Sequence, residues 1–320
     1  MAGLVGDIGG TRARFGLVGP DGAVTDVEVR ECRDHAGLAD ALDAYLSGAG
    51  RRARPRRAAL SVACPVTGDR VSLTNHPWSF SIEAIRRRFR FETLWVVNDF
   101  SAVARSVPLL GDADRMQVGG GRPAAGAAIA VLGPGTGLGV SGLVPAGGGW
   151  AVIEGEGGHV TMAASGPREA AVLAEIGREF EHVSAERVLS GPGLVSLHAA
   201  LCRLDGEVSD REPTPEEIVA EGVAGRTPKC SEVLDLAAVL LGTVAADLAL
   251  TLGARGGVYI AGGLVPRFAH RFAASGFRRR FEDKGRFSAY LAAVPTWLVL
   301  HKHPALPGLA SLVREPTQRS

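Results

Sequence analysis

Glycine placement constrains this chain more than any other feature. Its 43 glycines gather in clusters, at 9–10, 133–139, 147–149, 155–158, 256–257 and 262–263. Clustered glycine inside a folding sequence marks tight turns, or backbone that must approach something closely. Two clusters sit between short apolar runs. Residues 4–8 read as a strand, a glycine turn follows, and 13–18 read as the returning strand. Residues 127–132, 133–137 and 138–144 repeat the scheme as strand, turn and strand. Further strands are expected at 58–63, 94–97, 258–261 and 297–300, and helices at 37–46, 82–89, 101–106, 167–180, 215–224 and 231–252. The alternation predicts α/β domains, and the repeated opening predicts two built alike.

A length of 320 residues fits two domains at ~150 residues each. Charges nearly cancel, with 35 Lys and Arg against 34 Asp and Glu, so the basic field of a nucleic-acid binder is absent. Asp7, Arg12 and Arg14 interrupt the N-terminus where a secretory signal would be apolar. The most lipid-like stretch, 233–252, carries Asp235 and Asp247 and reads as a buried helix. Cys32, Cys64, Cys202 and Cys230 lie too far apart in sequence for metal or redox spacing. A cytoplasmic protein with no nucleic-acid or membrane partner is expected. Arg51, Arg52, Arg54, Arg56 and Arg57 form a basic run, but Pro55 within it favours an exposed loop.

The first turn reads Gly6-Asp7-Ile8-Gly9-Gly10-Thr11. Its backbone N–H groups could converge on an anion, Thr11 could add a hydroxyl, and Asp7 offers a carboxylate suited to hydrated Mg²⁺. A plain hairpin turn has the same composition. The second turn, 133–139, contains Gly135, Thr136 and Gly137, and nested in it Gly137, Gly139 and Gly142 satisfy the dinucleotide pattern G-x-G-x-x-G. That pattern needs a helix directly afterwards, whereas 140–144 reads as strand, so the dehydrogenase reading is rejected. No Gly-Lys-Ser/Thr of a Walker A loop occurs, so backbone amides, threonines and a metal would have to neutralise any phosphate. Asn98 and Asp99 end a strand and precede a helix, where either could be only a cap. The same place faces ligands in α/β domains and suits a carboxylate that takes a proton from an alcohol. Glu156 and His159, three apart with glycines between, suit a loop that hydrogen-bonds a polyhydroxylated ligand; Glu186 could equally be a first-turn helix carboxylate.

Read in order, GDIGGTRARFGLV from Gly6, SVACPVTGDRVSLTNHPWSFS from Ser61, VVNDFSAVA from Val96, LGPGTGLGVS from Leu132, EGEGGHV from Glu154, EHVSAERVLSGPGL from Glu181, GGVYIAGGLVPRF from Gly256 and FEDKGRF from Phe281 span essentially the whole chain. Together they resemble the bacterial glucokinases that lack a zinc motif, within the actin–hexokinase–heat-shock ATPase superfamily. The resemblance implies two actin/hexokinase-like (ribonuclease H-like) domains flanking an interdomain cleft. They would span 1–121, with 303–320 returning as a helix, and 122–302. It implies ATP-dependent phosphorylation of D-glucose at its 6-hydroxyl, in a homodimer. It makes Asp99 the general base and puts Asn98, Glu156, His159, Glu186 and Asn75 on the sugar. Gly6, Asp7, Ile8, Gly9, Gly10, Thr11, Gly135, Thr136 and Gly137 would hold phosphates, Gly262 and Gly263 would lie beside adenosine, and Asp7 would bind Mg²⁺ through water. Arg12 departs from the pattern, which has Asn there. No cysteine cluster follows Glu156 and His159, so no structural zinc is expected, and a DNA-binding repressor is disfavoured because nothing precedes residue 4 to form such a segment. The competing readings are a kinase for mannose, fructose or an N-acetylated amino sugar, and a non-catalytic actin-like nucleotide switch.

Overall fold

The computed structural model describes residues 3–48, 54–74, 76–207 and 211–315. The chain forms two compact units, Met1–Gly111 with His301–Ser320, and Asp112–Leu300. In the first unit, β1 (Gly3–Ile8), β2 (Arg12–Val18) and β3 (Val24–Glu31) form an antiparallel meander. β4 (Arg57–Val62) pairs parallel to β1. After a small hairpin of β5 (Arg70–Ser72) and β6 (Ser79–Ser81), β7 (Thr93–Asn98) pairs parallel to β4. The sheet order is therefore β3-β2-β1-β4-β7.

β1 and β4 are largely buried along their length, as covered parallel strands are. Leu4, Ile8, Phe15, Leu60, Leu42 and Tyr45 are fully buried in one core. The parallel register places Ile8 beside Val62 and Val62 beside Asn98, so three strands end level. This carboxyl edge carries the Gly9-Gly10 turn and the start of the helix Asp99–Ser106.

The second unit repeats the topology. β8 (Arg115–Gln117) comes first in sequence; β9 (Ile129–Pro134), β10 (Leu138–Ala146) and β11 (Gly149–Gly155) form the meander, and β12 (Gly257–Ile260) and β13 (Thr296–Val299) continue in parallel. The order β11-β10-β9-β12-β13-β8 matches the first sheet strand for strand, with β8 added antiparallel at the far edge. Residues 112–121, expected in the first domain, therefore belong to the second unit, because Met116 pairs with Leu298. His301 and Lys302 likewise belong to the first.

The helix Pro228–Leu252 is long and apolar enough to cross a membrane, yet it is mostly buried among the helices Gly191–Asp205, Pro215–Ala224 and Phe277–Glu282. A Cβ at its Gly242 would lie 2.6 Å from the Phe277 carbonyl oxygen, so this helix is a close-packed core element. The expected helix over 167–180 stops at Ile176.

The returning tail forms the helix Ala305–Arg314, which packs on the helix Asp99–Ser106 and on β1 and β4. Contact is closest at Gly308, where a Cβ would sit 1.9 Å from the Ala102 carbonyl oxygen and 3.0 Å from the Ser106 nitrogen. Gly308→Ala brings a helix-propensity gain of about 1 kcal/mol. Against it stands a clash with backbone, which has no rotamer to escape into and costs about 1–3 kcal/mol or more. The clash wins, and thermal unfolding should show a Tm several degrees below the parent. A Tm at or above the parent's would contradict this helix contact.

Candidate active site

In the first unit the strand ends hold the candidate residues. Asp7 lies in register with Arg14 on β2 and Ser61 on β4. Its Oδ1 accepts from the Ser61 hydroxyl at 2.9 Å and its Oδ2 from Arg14 Nη1 at 3.0 Å. Ser61 is fully buried, so both partners fix the carboxylate at the sheet edge. Gly6 and Ile8 point their substance into the core: a Cβ at Gly6 would meet Leu60 at 2.7 Å and Phe15 at 2.9 Å. Gly9, Gly10 and Thr11 form the turn itself, closed by the Gly9 N–H donating to the Arg12 carbonyl at 2.9 Å. Arg12, the departure from the family pattern, is drawn to the neighbouring strand, where its Nε donates to Glu31 Oε1 at 2.7 Å. The cation is thus neutralised beside the turn.

At the end of β7, Asn98 is the helix cap. Its Oδ1 accepts from the N–H groups of Phe100 at 2.8 Å and Ser101 at 3.3 Å. Asp99 begins the helix, half-buried, with Oδ1 2.9 Å from the Phe100 nitrogen. Capping therefore falls to Asn98, and the helix N-terminus favours a negative charge on the residue after it. Asn75 lies outside the described residues. Of the basic run, Arg51 and Arg52 also lie outside them; Arg56 pairs with Glu92, and Arg57 donates to the Glu315 carbonyl while lying over the Trp95 ring.

In the second unit four separated segments converge. β9 and β10 are joined by the turn carrying Gly135, Thr136 and Gly137, with Gly135 N–H donating to the Gly137 carbonyl at 2.8 Å. β10 continues through Gly139 and Gly142 as strand, as expected of a chain without a dinucleotide fingerprint. The turn after β12 lies against it: Gly262 has φ +83°, and a Cβ there would be 2.4 Å from the Pro134 carbonyl oxygen. Gly263 follows, and Leu264 N–H donates to that same Pro134 oxygen at 3.1 Å. Leu264, Val265, Phe268 and Leu189 line a small apolar cavity with Pro134.

After β11, Glu156 precedes a single 3₁₀ turn, Gly157–His159, with Glu156 and His159 both exposed. Gly158 is buried so tightly that a Cβ would lie 2.0 Å from the Leu138 carbonyl oxygen. The fourth segment is 183–191. Glu186 N–H donates to the Gly158 carbonyl at 2.8 Å, and Gly191 N–H to the Gly135 carbonyl at 2.8 Å. Glu186 Oε2 accepts from the Leu138 N–H at 2.8 Å. Sequence reading gave no sign of that bond, or of Ser61 and Arg14 as partners of Asp7.

Each unit thus gathers on its own a glycine turn suited to phosphate and carboxylates or an imidazole suited to hydroxyls. Known proteins resemble the chain along its length. The glucokinase family model matches residues 4–316. The glucokinase of Aromatoleum aromaticum is 53% identical over 309 residues, 96% of this chain and 93% of that one. That of Paramagnetospirillum magneticum is 52% identical, covering 98% of each chain. The crystal structure of a glucokinase from an Antarctic psychrotroph superposes with a TM-score of 0.88 at 36% identity, over 98% of both chains. A family model matching nearly every residue, and relatives identical at half of their positions, leave one assignment: the chain belongs to the glucokinase family.

Proposed function

We propose that this protein transfers the γ-phosphoryl group of ATP to the 6-hydroxyl of D-glucose, giving glucose 6-phosphate and ADP. Identity above one half to glucokinases along nearly their whole length carries the reading. The geometry of each unit supports it. Phosphoryl transfer passes through a loose transition state, so catalysis is mainly positioning and charge neutralisation. With the Gly9 and Gly135 N–H groups closing their own turns, the N–H groups of Gly10 and Thr11 and of Thr136 and Gly137 are assigned to phosphate oxygens, and the Gly262-Gly263 turn to adenosine.

Asp99 is read as the general base. Asn98 caps the helix at Phe100 and Ser101, and Asp99 Oδ1 shares the Phe100 N–H. The Asp99 carboxylate takes the proton of the 6-hydroxyl as that oxygen bonds to the γ-phosphorus and the bond to ADP breaks. Asn98 keeps its amide N–H₂ for a sugar oxygen while its Oδ1 caps. Glu156, His159 and Glu186 take the remaining hydroxyls, with Asn75 a further candidate.

Mg²⁺ fits the residues present. Asp7 supplies a hard oxygen donor, and among the described residues no three His, Cys, Asp or Glu side chains gather to hold a metal unaided. That suits a hydrated ion which arrives with the nucleotide and takes one carboxylate through water. Bound there, Mg²⁺ would neutralise charge on the phosphates. A homodimer acting in the cytoplasm completes the reading, by family likeness.

Asp99→Asn tests the base directly. It keeps size and the helix cap, so Tm should match the parent and glucose and ATP should still bind. Loss of general-base catalysis predicts a kcat at least ~100-fold lower. A folded variant with near-parent kcat would remove Asp99 from this role. Glu156→Gln and Glu186→Gln each lose a charge-assisted hydrogen bond worth ~1.5–3 kcal/mol, or roughly 10- to 150-fold in kcat/KM for glucose. ATP affinity should barely move. Steady-state kinetics in which ATP binding fails while sugar use persists would assign these carboxylates to the nucleotide instead.

A further inference from the structure

We propose that Glu186 positions the second phosphate-gripping turn as well as the sugar, so that one carboxylate serves both substrates; this rests on the kinase reading above. Its Oε2 accepts the Leu138 N–H at 2.8 Å, at the point where the turn Gly135–Gly137 enters β10. That N–H lies at the mouth of the hairpin, and the carboxylate is its partner. The other end of the turn is held by the same segment, through Gly191 N–H on the Gly135 carbonyl at 2.8 Å. Residues 186 and 191 therefore clamp residues 135 and 138.

The clamp is built to a close tolerance. A Cβ on Gly137 would lie 2.4 Å from Glu186 Oε2, so a side chain there would displace the carboxylate from its present position on Leu138. The backbone of Glu186 is tied in turn: its N–H donates to the Gly158 carbonyl at 2.8 Å, and its carbonyl accepts the Ser190 hydroxyl at 2.8 Å. With the main chain fixed and Oε2 engaged, Oε1 remains for a sugar hydroxyl. Glu156, exposed and making no cap bond, has no such link to the turn.

The two roles separate by substitution. Gln keeps an oxygen that can accept the Leu138 N–H; Ala removes it. AMPPNP binding is measured by calorimetry without sugar. Glu186→Gln should bind within about twofold of the parent, and Glu186→Ala roughly tenfold or more weakly, the size of a lost charge-assisted bond. Glu156→Ala should match the parent. Hydrogen exchange at the Leu138 amide should be slow in the parent and Glu186→Gln and clearly faster in Glu186→Ala. If Glu186→Ala does not fold, Glu186→Asp, one methylene shorter, carries the same expectation. Parent-like AMPPNP affinity in the folded variant, or unchanged Leu138 exchange, overturns the proposal alone. A parent that binds no AMPPNP overturns the kinase reading and this proposal with it.

Discussion

The second unit depends on backbone lying directly on backbone, with no room for a side chain between. At Gly133 an added Cβ would be 2.4 Å from the Ala261 carbonyl carbon, and at Gly158 it would be 2.0 Å from the Leu138 oxygen. These approaches press the turn after β9, the loop after β11 and the turn after β12 into one patch. A side chain at any of them would force segments apart by more than a hydrogen bond tolerates. At Gly133 and Gly158 glycine is used for the space it leaves, and at Gly262 for its positive φ as well.

The first unit reaches a similar result by register. Three parallel strands ending level bring Asp7, Ser61 and Asn98 to one edge, where the helix Asp99–Ser106 begins. The tail helix then braces that helix from behind at Gly308. Precise placement of a carboxylate matters because displacement reactions lose rate steeply when the reacting oxygen is misplaced. A carboxylate such as Asp99, the proposed base, carried on a helix that is capped and packed at backbone distance, is held on the rigid part of the scaffold. The Arg14 and Ser61 bonds do the same for Asp7.

Much of this was legible in the sequence. β1, β2, β9 and β10 announce themselves as buried apolar runs around glycine, and the repeated strand–turn–strand opening correctly anticipates two like topologies. β3 does not: VTDVEVRE is an exposed edge strand, with a left-handed Asp26 and a register shift opposite it, so neither apolar alternation nor burial marks it. The helix Gly191–Asp205 opens with Gly-Pro-Gly, which reads as loop. Its signals were the Ser190 cap, bonded to the Gly193 N–H at 3.0 Å, and the proline in its first turn. β8 is three residues long and pairs with a strand some 180 positions later, which is why the domain boundary was expected about ten residues too late. The Glu186–Leu138 bond spans 48 residues and leaves no local trace at either end.

The central claim is that this chain phosphorylates glucose, rather than another hexose or no sugar at all. Sugar-dependent ADP release, measured across glucose, mannose, fructose and N-acetylglucosamine with kcat/KM for each, tests it most directly. The account predicts that glucose gives the highest kcat/KM and that the product is glucose 6-phosphate. Equal or better use of another sugar would contradict the assignment to glucose, and nucleotide binding without any sugar-dependent ADP release would contradict the kinase itself.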